Sequence, residues 1–338
     1  MKQVSVVGVR KAAVIDVPEP KAKENWVVVK VHAAPMCTEF KGFVAGDGAQ
    51  GYGHEAAGEV VETAQPCRVK VGDRVVVQPG TPCGCCDLCL AGEYIHCEHW
   101  RDYEKFSGGK HGSFTMSQYV LKPDWLLSPI PPDMDYDLAG LAVCGLGPAF
   151  GALDLMSVSA FDTVLIAGLG PVGLGGIVAA RYRGARVLGI DSNAYRADLA
   201  RQLGAEAVLD PGDPSCVDAI RRLTDGRGAT KSIDCAGIPA AHRLCIDATA
   251  RKGEMAFVGW CTQPTPITAC RDLIQKGLTF RGVWHYNLAS YFRLVRVLRE
   301  SPVVSRLITH RFPIGDIQRA WETQVSGNCG KVILHPWE

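Results

Sequence analysis

The chain has 338 residues, 47% of them apolar, with 36 basic residues against 35 acidic ones. That length suits two domains better than a single hydrophobic core. Balanced charge, with no block of one sign, excludes a nucleic-acid or anionic-membrane partner, since both need a basic surface. The opening "MKQVSVVGVR" meets Gln3, Ser5 and Arg10 before any signal-type apolar run can form. The longest uncharged apolar stretch, 164–180, is short of a membrane span and carries several glycines and a proline. A cytoplasmic location is expected, where clustered cysteines stay reduced and serve more often as metal ligands than as disulfides.

Residues 1–80 hold short strand-like runs, "SVVGV", "AAVIDV", "WVVVKVHAA" and "RVVVQPG", separated by Gly and Pro. This predicts a β-rich, barrel-like beginning. A polar, loop-rich lobe follows at 82–112 and opens on "PCGCCDLCLAGEYIHC". In it, Cys83, Cys86, Cys89 and Cys97 follow the pattern C-x2-C-x2-C-x7-C. Such spacing lets four thiolates converge on one tetrahedral ion at about 2.3 Å each. With no open position, the site is a structural zinc site; an iron–sulfur cluster would use other spacings. Cys85 falls outside the tetrad and is read as a bystander.

From about residue 146 strands and helices alternate: "TVLIAG", "PVGLGGIVAARYR", "RVLGID" and "AYRADLARQLG", then "KSIDCAG", "PAAHRLCIDATA" and "GEMAFVG". That rhythm predicts a doubly wound parallel sheet. "GLGPVG" sets Gly168, Gly170 and Gly173 as G-x-G-x-x-G, with Pro171 and Val172 between, directly after a strand and at the start of a helix. The glycines permit a tight turn, backbone approach to a pyrophosphate and close helix packing. Asp191 ends the next strand, where a carboxylate accepts both adenine-ribose hydroxyls and repels a 2′-phosphate. NAD is therefore the expected cofactor. After about 286, "LASYFRLVRVLRE" and "IGDIQRAWETQ" read as amphipathic helices and "GKVILH" as a last strand.

These motifs, in this order, resemble the zinc-containing medium-chain dehydrogenases of the alcohol dehydrogenase superfamily. The likeness runs from "WVVVKVHAAPMC" (26–37) through "GYGHEAAGEV" (51–60) and "VKVGDRVVV" (69–77) to "GKVIL" (330–334). It implies an α/β protein. A β-rich GroES-like catalytic domain would take 1–145 and 287–338, with the zinc lobe at about 82–112, and a Rossmann domain would take 146–286. It implies a second, catalytic zinc on Cys37, His54 and Cys144, with Glu55 beside it as an exchange ligand, so two zinc ions per chain. A thiolate at 144, where polyol dehydrogenases often use glutamate, leans towards the alcohol dehydrogenase arrangement. The resemblance further places Arg196 beside the ribose and Lys331 at the pyrophosphate. His285 and Tyr286, in "VWHYN" (283–287), would contact substrate or lie in a subunit interface.

One stretch departs from the family. Relatives read Cys, any residue, Ser or Thr, then Asp; this chain reads Cys37-Thr38-Glu39-Phe40. The hydroxyl that starts the proton relay moves one place early to Thr38, and Phe40 cannot brace the zinc-bound histidine. Glu39 is open to three roles: relay, substrate contact or brace for His54. Near Glu55 and in a partly dry pocket, its pKa is expected to rise. The expected activity is hydride transfer between NAD(H) and a small, polar, secondary alcohol or its carbonyl partner, in a homodimer or homotetramer. Two rivals are a nucleotide-binding relative that has lost its chemistry and a zinc-free double-bond reductase on the same scaffold.

Overall fold

In the strand Trp26–Pro35 the face of Val27, Val29, Val31 and Ala33 is fully buried, while the other face carries the partly buried Lys30 and His32. A computed structural model describes all residues, 1–338, in two units. In the first unit this strand sits inside a seven-stranded sheet. The spatial order is Ile308–Pro313, Lys331–His335, Trp26–Pro35, Ala56–Glu62, Arg74–Val77, Leu127–Pro129, with Tyr119–Pro123 also pairing with Trp26–Pro35. A hairpin of Lys2–Gly8 and Lys11–Asp16 stands apart.

The tail enters this unit through backbone pairing. Leu334 lies opposite Ala34 and Ile333 opposite Pro35, while the helix Ile317–Ser326 buries Trp321 against Phe43 at a ring separation of 5.1 Å. The unit comprises Met1–Gly145, Asn287–Arg299 and Ile308–Glu338.

The second unit comprises Leu146–Tyr286 and Glu300–Leu307. Six parallel strands run in the spatial order Ala207–Leu209, Arg186–Ile190, Thr163–Ala167, Ala229–Asp234, Thr249–Phe257, Thr279–Gly282. Counted along this unit, that is the 3-2-1-4-5-6 order of doubly wound dinucleotide folds, whose ligand crevice lies at the carboxyl ends of the strands where the order reverses. The expected boundary at 287 needs one correction. Glu300–Leu307 packs with the second unit, because Val304 and Leu307 bury themselves there and Tyr182 donates a hydrogen bond to the Glu300 carboxylate. No helix is long and apolar enough to cross a membrane.

Candidate metal centres and nucleotide loop

The cysteine lobe folds into one short helix, Asp87–Leu90, and a turn at Tyr94–His96, packed over buried Tyr94, Ile95 and Leu126. The Sγ atoms of Cys83, Cys86, Cys89 and Cys97 all lie within 4.8 Å of one another. Cys83 is 4.0 Å from Cys89 and Cys86 is 3.9 Å from Cys97. Those separations are far from a disulfide and close to the edge of about 3.8 Å that a tetrahedral zinc–thiolate site requires. Backbone N–H groups prepare the thiolates: Cys85 and Cys86 donate to Cys83 Sγ, and Cys83 and His99 donate to Cys97 Sγ. Burial works against the Cys83 thiolate, yet these N–H donors bring its pKa down to about 6. Cys85 is exposed and contributes only its N–H.

A second group stands elsewhere in the first unit. The ligand atoms of Cys37, His54, Glu55 and Cys144 also lie within 4.8 Å of one another. Cys37 ends the Trp26–Pro35 segment, where Met36 donates its N–H to Val332 and Gln324 Nε2 donates to the Cys37 carbonyl. His54 follows Gly53, whose φ of +98° lets the chain pass Met116; a Cβ there would lie 2.6 Å from the Met116 nitrogen. His54 Nε2 points at Cys144 Sγ, 3.2 Å away.

Charge decides what this group can hold. With both thiols ionised and His54 neutral, as metal ligation requires, Cys37, Cys144, Glu55 and Glu39 bring four negative charges against the one buried ammonium of Lys331. A divalent cation on the sulfur and imidazole donors relieves that imbalance. The donor set of two thiolates and one imidazole, with a position left over, fits catalytic zinc. Alcohol dehydrogenase is itself the known example of such a Cys2His zinc site, so this fit restates the family resemblance in donor atoms.

Glu39 takes a defined place. It precedes the short helix Phe40–Ala45 without capping it, so its carboxylate is free to turn back. Oε2 accepts the Cys37 N–H at 2.9 Å, and Oε1 lies 2.7 Å from His54 Nδ1. With Nδ1 held by a carboxylate, Nε2 is the nitrogen left for metal. The expected rise in the Glu39 pKa is corrected here. Burial does push upward, but His54 and the backbone N–H groups outweigh it and set Glu39 at about 2. The upward shift falls on Glu55 instead, to about 7, through burial and against the pull of Lys331. Thr38 is exposed at the same turn, and only its carbonyl is engaged, by the Lys41 N–H.

Lys331 has a partner that its place in the sequence did not reveal. Its side chain is fully buried and its Nζ donates to Glu55 Oε1 at 2.6 Å, while Glu55 Oε2 accepts the Cys144 N–H at 3.1 Å. The bond to Glu55 uses one of the three donors of the Lys331 ammonium. It favours the ionised form of Glu55 against the burial that raises its pKa to about 7. Neither this pair nor the Gln324 contact was legible from spacing, because 276 and 287 residues separate the partners.

In the second unit the glycine loop leaves the strand Thr163–Ala167 and enters the helix Pro171–Tyr182. Gly168 has φ +88° and passes Ala236 so closely that a Cβ would lie 2.6 Å from its nitrogen; a Cβ on Gly173 would lie 2.0 Å from the Gly168 carbonyl oxygen. Gly170, by contrast, faces open space and precedes the helix N-terminus with Pro171 and Val172. Such an open, N–H-rich turn suits a pyrophosphate. Asp191 Oδ2 accepts the Leu169 N–H at 2.7 Å and Oδ1 the Asn193 N–H at 2.8 Å, so the carboxylate is aimed by the loop itself. The following helix is capped by Asn193, not by Asp191. Arg196 Nε is buried without a hydrogen-bond partner in that first turn.

His285 and Tyr286 are 7% and 2% exposed and stack on each other at 4.7 Å. They pack over the helix Gly147–Leu155, where Gly147 and Gly151 leave the necessary space. So covered, the pair exposes little surface in the isolated chain.

Comparison with known proteins agrees across the chain. Residues 23–132 match the alcohol dehydrogenase GroES-like domain family, and residues 171–300 match the zinc-binding dehydrogenase family. The L-threonine 3-dehydrogenase of Bacillus velezensis is 31% identical over 337 residues, covering 96% of this chain and 95% of that protein. Its namesake from Paraburkholderia phymatum is 30% identical and covers 94% of each. Among solved structures, an alcohol dehydrogenase from Thermus sp. ATN1 superposes with a TM-score of 0.89 at 25% identity over 99% of both chains. The 2R,3R-butanediol dehydrogenase of Bacillus subtilis has a TM-score of 0.83 at 23% identity over 99% of both, a likeness of fold alone.

Proposed function

This chain belongs to the zinc-binding dehydrogenases of the alcohol dehydrogenase superfamily, and on that premise we propose that its substrate is a polar secondary alcohol. The reaction class is zinc-dependent, NAD-linked oxidoreduction of an alcohol. The observation that carries the site assignment is the convergence of Cys37, His54, Glu55 and Cys144, separate from the four-cysteine lobe. A chain that had lost its chemistry, or a zinc-free reductase, would have no use for those donors.

Zinc on Cys37, His54 and Cys144 would lower the pKa of an alcohol hydroxyl and stabilise negative charge on its oxygen. The chain's own residues prepare that event. Glu39 fixes the tautomer and angle of His54, Lys331 neutralises Glu55, and Gln324 anchors the Cys37 loop. The His54 side chain is 35% exposed, so a proton released from the hydroxyl can leave through water. In the second unit, Gly168, Gly170 and Gly173 shape the turn for the pyrophosphate, and Asp191 with Arg196 addresses the ribose.

The relatives' names point to a hydroxyl flanked by charged groups, as in L-threonine, and this guides the choice of test. Purified enzyme is mixed with NAD and a panel of L-threonine, butanediols, polyols and cyclitols, and NADH formation is measured. At least one polar secondary alcohol is expected to react faster than any simple primary alcohol; turnover confined to primary alcohols would overturn the substrate class. Because Asp191 would face a 2′-phosphate, NAD is expected to exceed NADP in kcat/KM by ~10²-fold or more, as like charges brought together cost several kcal/mol. Asp191→Ser should narrow that gap, and equal use of both cofactors by the wild type would contradict the ribose assignment.

Two features support assembly from copies of this chain and a reducing location. The strand Thr279–Gly282 pairs on one side only, and exposed Trp284, just past its end, lies 5.7 Å from exposed Trp260. An open edge beside apolar surface suits a second copy of the chain. Fourteen free cysteines suit the reducing cytoplasm.

A further inference from the structure

The second unit contains a cavity of ≈ 550 Å³ far from its glycine loop. The strands are parallel, and Gly168 follows the carboxyl end of Thr163–Ala167, level with Asp234. The cavity is bounded instead by Gly226 and Arg227, by Thr249–Arg251 and by Gln275 and Lys276, all at or before the amino ends of the three neighbouring strands. The six residues of Ala229–Asp234 put about 20 Å of strand between the two ends.

Arg221, Arg227, Arg251, Arg271 and Lys276 line this cavity, with only Asp247 and Asp272 among them as acids. Both acids are already occupied. Arg243 grips Asp247 at 2.6 and 2.9 Å and Asp272 at 2.8 and 3.1 Å, and Arg271 adds a bond to Asp272 at 2.9 Å. Arg221 and Arg227 also meet Asp218 and Asp225 at the surface, in exposed pairs that count for little. Even with those included, five lining cations and Arg243 stand against four carboxylates, in a chain whose whole net charge is +1. Arg251 spends one donor on the Gln275 carbonyl, at 2.6 Å, and keeps the rest of its fork.

We propose that this cavity binds a small, multiply charged oxyanion, a phosphate ester or a polycarboxylate. Several guanidinium forks around one concavity are the arrangement that recognises such groups by paired hydrogen bonds. The volume is in the range of metabolite pockets, and cations gathered around one concavity suit a small ligand better than a polymer laid along a basic stripe. Lys276 reports the same field. Burial lowers its pKa to about 8, and Arg221 and Arg243 push in the same direction against Asp247 and Asp272. An anion in the cavity would reverse that push.

The test is calorimetric titration of zinc-loaded, NADH-saturated enzyme, so that the glycine loop is already filled. Fructose bisphosphate and tricarballylate are titrated separately. At least one is expected to bind, and to bind about tenfold or more weakly to an Arg227→Ala/Arg251→Ala double variant. That variant should keep its melting temperature and its alcohol turnover, since both arginines are exposed and belong to the second unit, whereas the metal ligands belong to the first. Binding of the bisphosphate alone assigns a phosphate ester, binding of tricarballylate alone a carboxylate, and binding of both a site that reads charge. No binding by either probe, or equal binding to wild type and double variant, would overturn the proposal.

Discussion

Replacing Cys144 with alanine is expected to leave about one zinc per chain and to lower kcat/KM by ~10³-fold or more, since zinc contributes several kcal/mol to charge stabilisation and each 1.4 kcal/mol is tenfold. The loss should be chemical rather than structural. The Cys144 N–H that serves Glu55 is a backbone group and survives the change. The four cysteines of the lobe belong to a separate cluster and should keep their ion, so the melting transition should stay cooperative. Zinc content and melting temperature, measured on the sample used for kinetics, check this. Two zinc ions retained by the variant would remove Cys144 from the ligand set.

The second large effect belongs to Glu39. Glu39→Gln keeps the shape of the side chain but loses the charge that holds the imidazole. Its amide oxygen can accept from the Cys37 N–H or from His54 Nδ1, not from both with the strength of a carboxylate. Removing such a partner behind a metal-bound histidine costs about 10–100-fold in metal affinity or activity. Zinc affinity at the Cys37 site is therefore expected to fall by that factor, with activity recovering when zinc is supplied in excess. A variant that binds zinc as tightly as the wild type yet stays slow when saturated would return Glu39 to the proton relay.

The parts of this protein that could be read from its sequence share one property: they are local. The C-x2-C-x2-C-x7-C spacing and the strand–glycine–helix run at 164–182 carry their geometry within a few dozen residues. The resemblance then supplied Cys37, His54 and Cys144 as a set. What escaped was set by long-range contact. Lys331 in "GKVIL" was placed at the pyrophosphate by the resemblance, and its pairing with Glu55, which follows from the pairing of Leu334 with Ala34, could not be read there. Glu39 was open to three roles because nothing in "CTEFKGF" says that the chain turns back at Thr38. His285 and Tyr286 looked like cleft residues, and only the two glycines of the Gly147–Leu155 helix, distant in sequence, reveal the packing. That helix itself was hard to see, since a run buried on every side has no amphipathic period.

The central claim is that two separate sites hold zinc and that turnover depends on the one built from Cys37, His54 and Cys144. The most direct test is to withdraw zinc gradually with a chelator and to measure bound zinc and NADH formation on the same samples. A site with three protein ligands and an open position should release its ion before one closed by four thiolates. The rate is expected to fall in step with the first zinc lost and to reach baseline with about one zinc per chain remaining. Full turnover persisting at one zinc per chain would contradict the account.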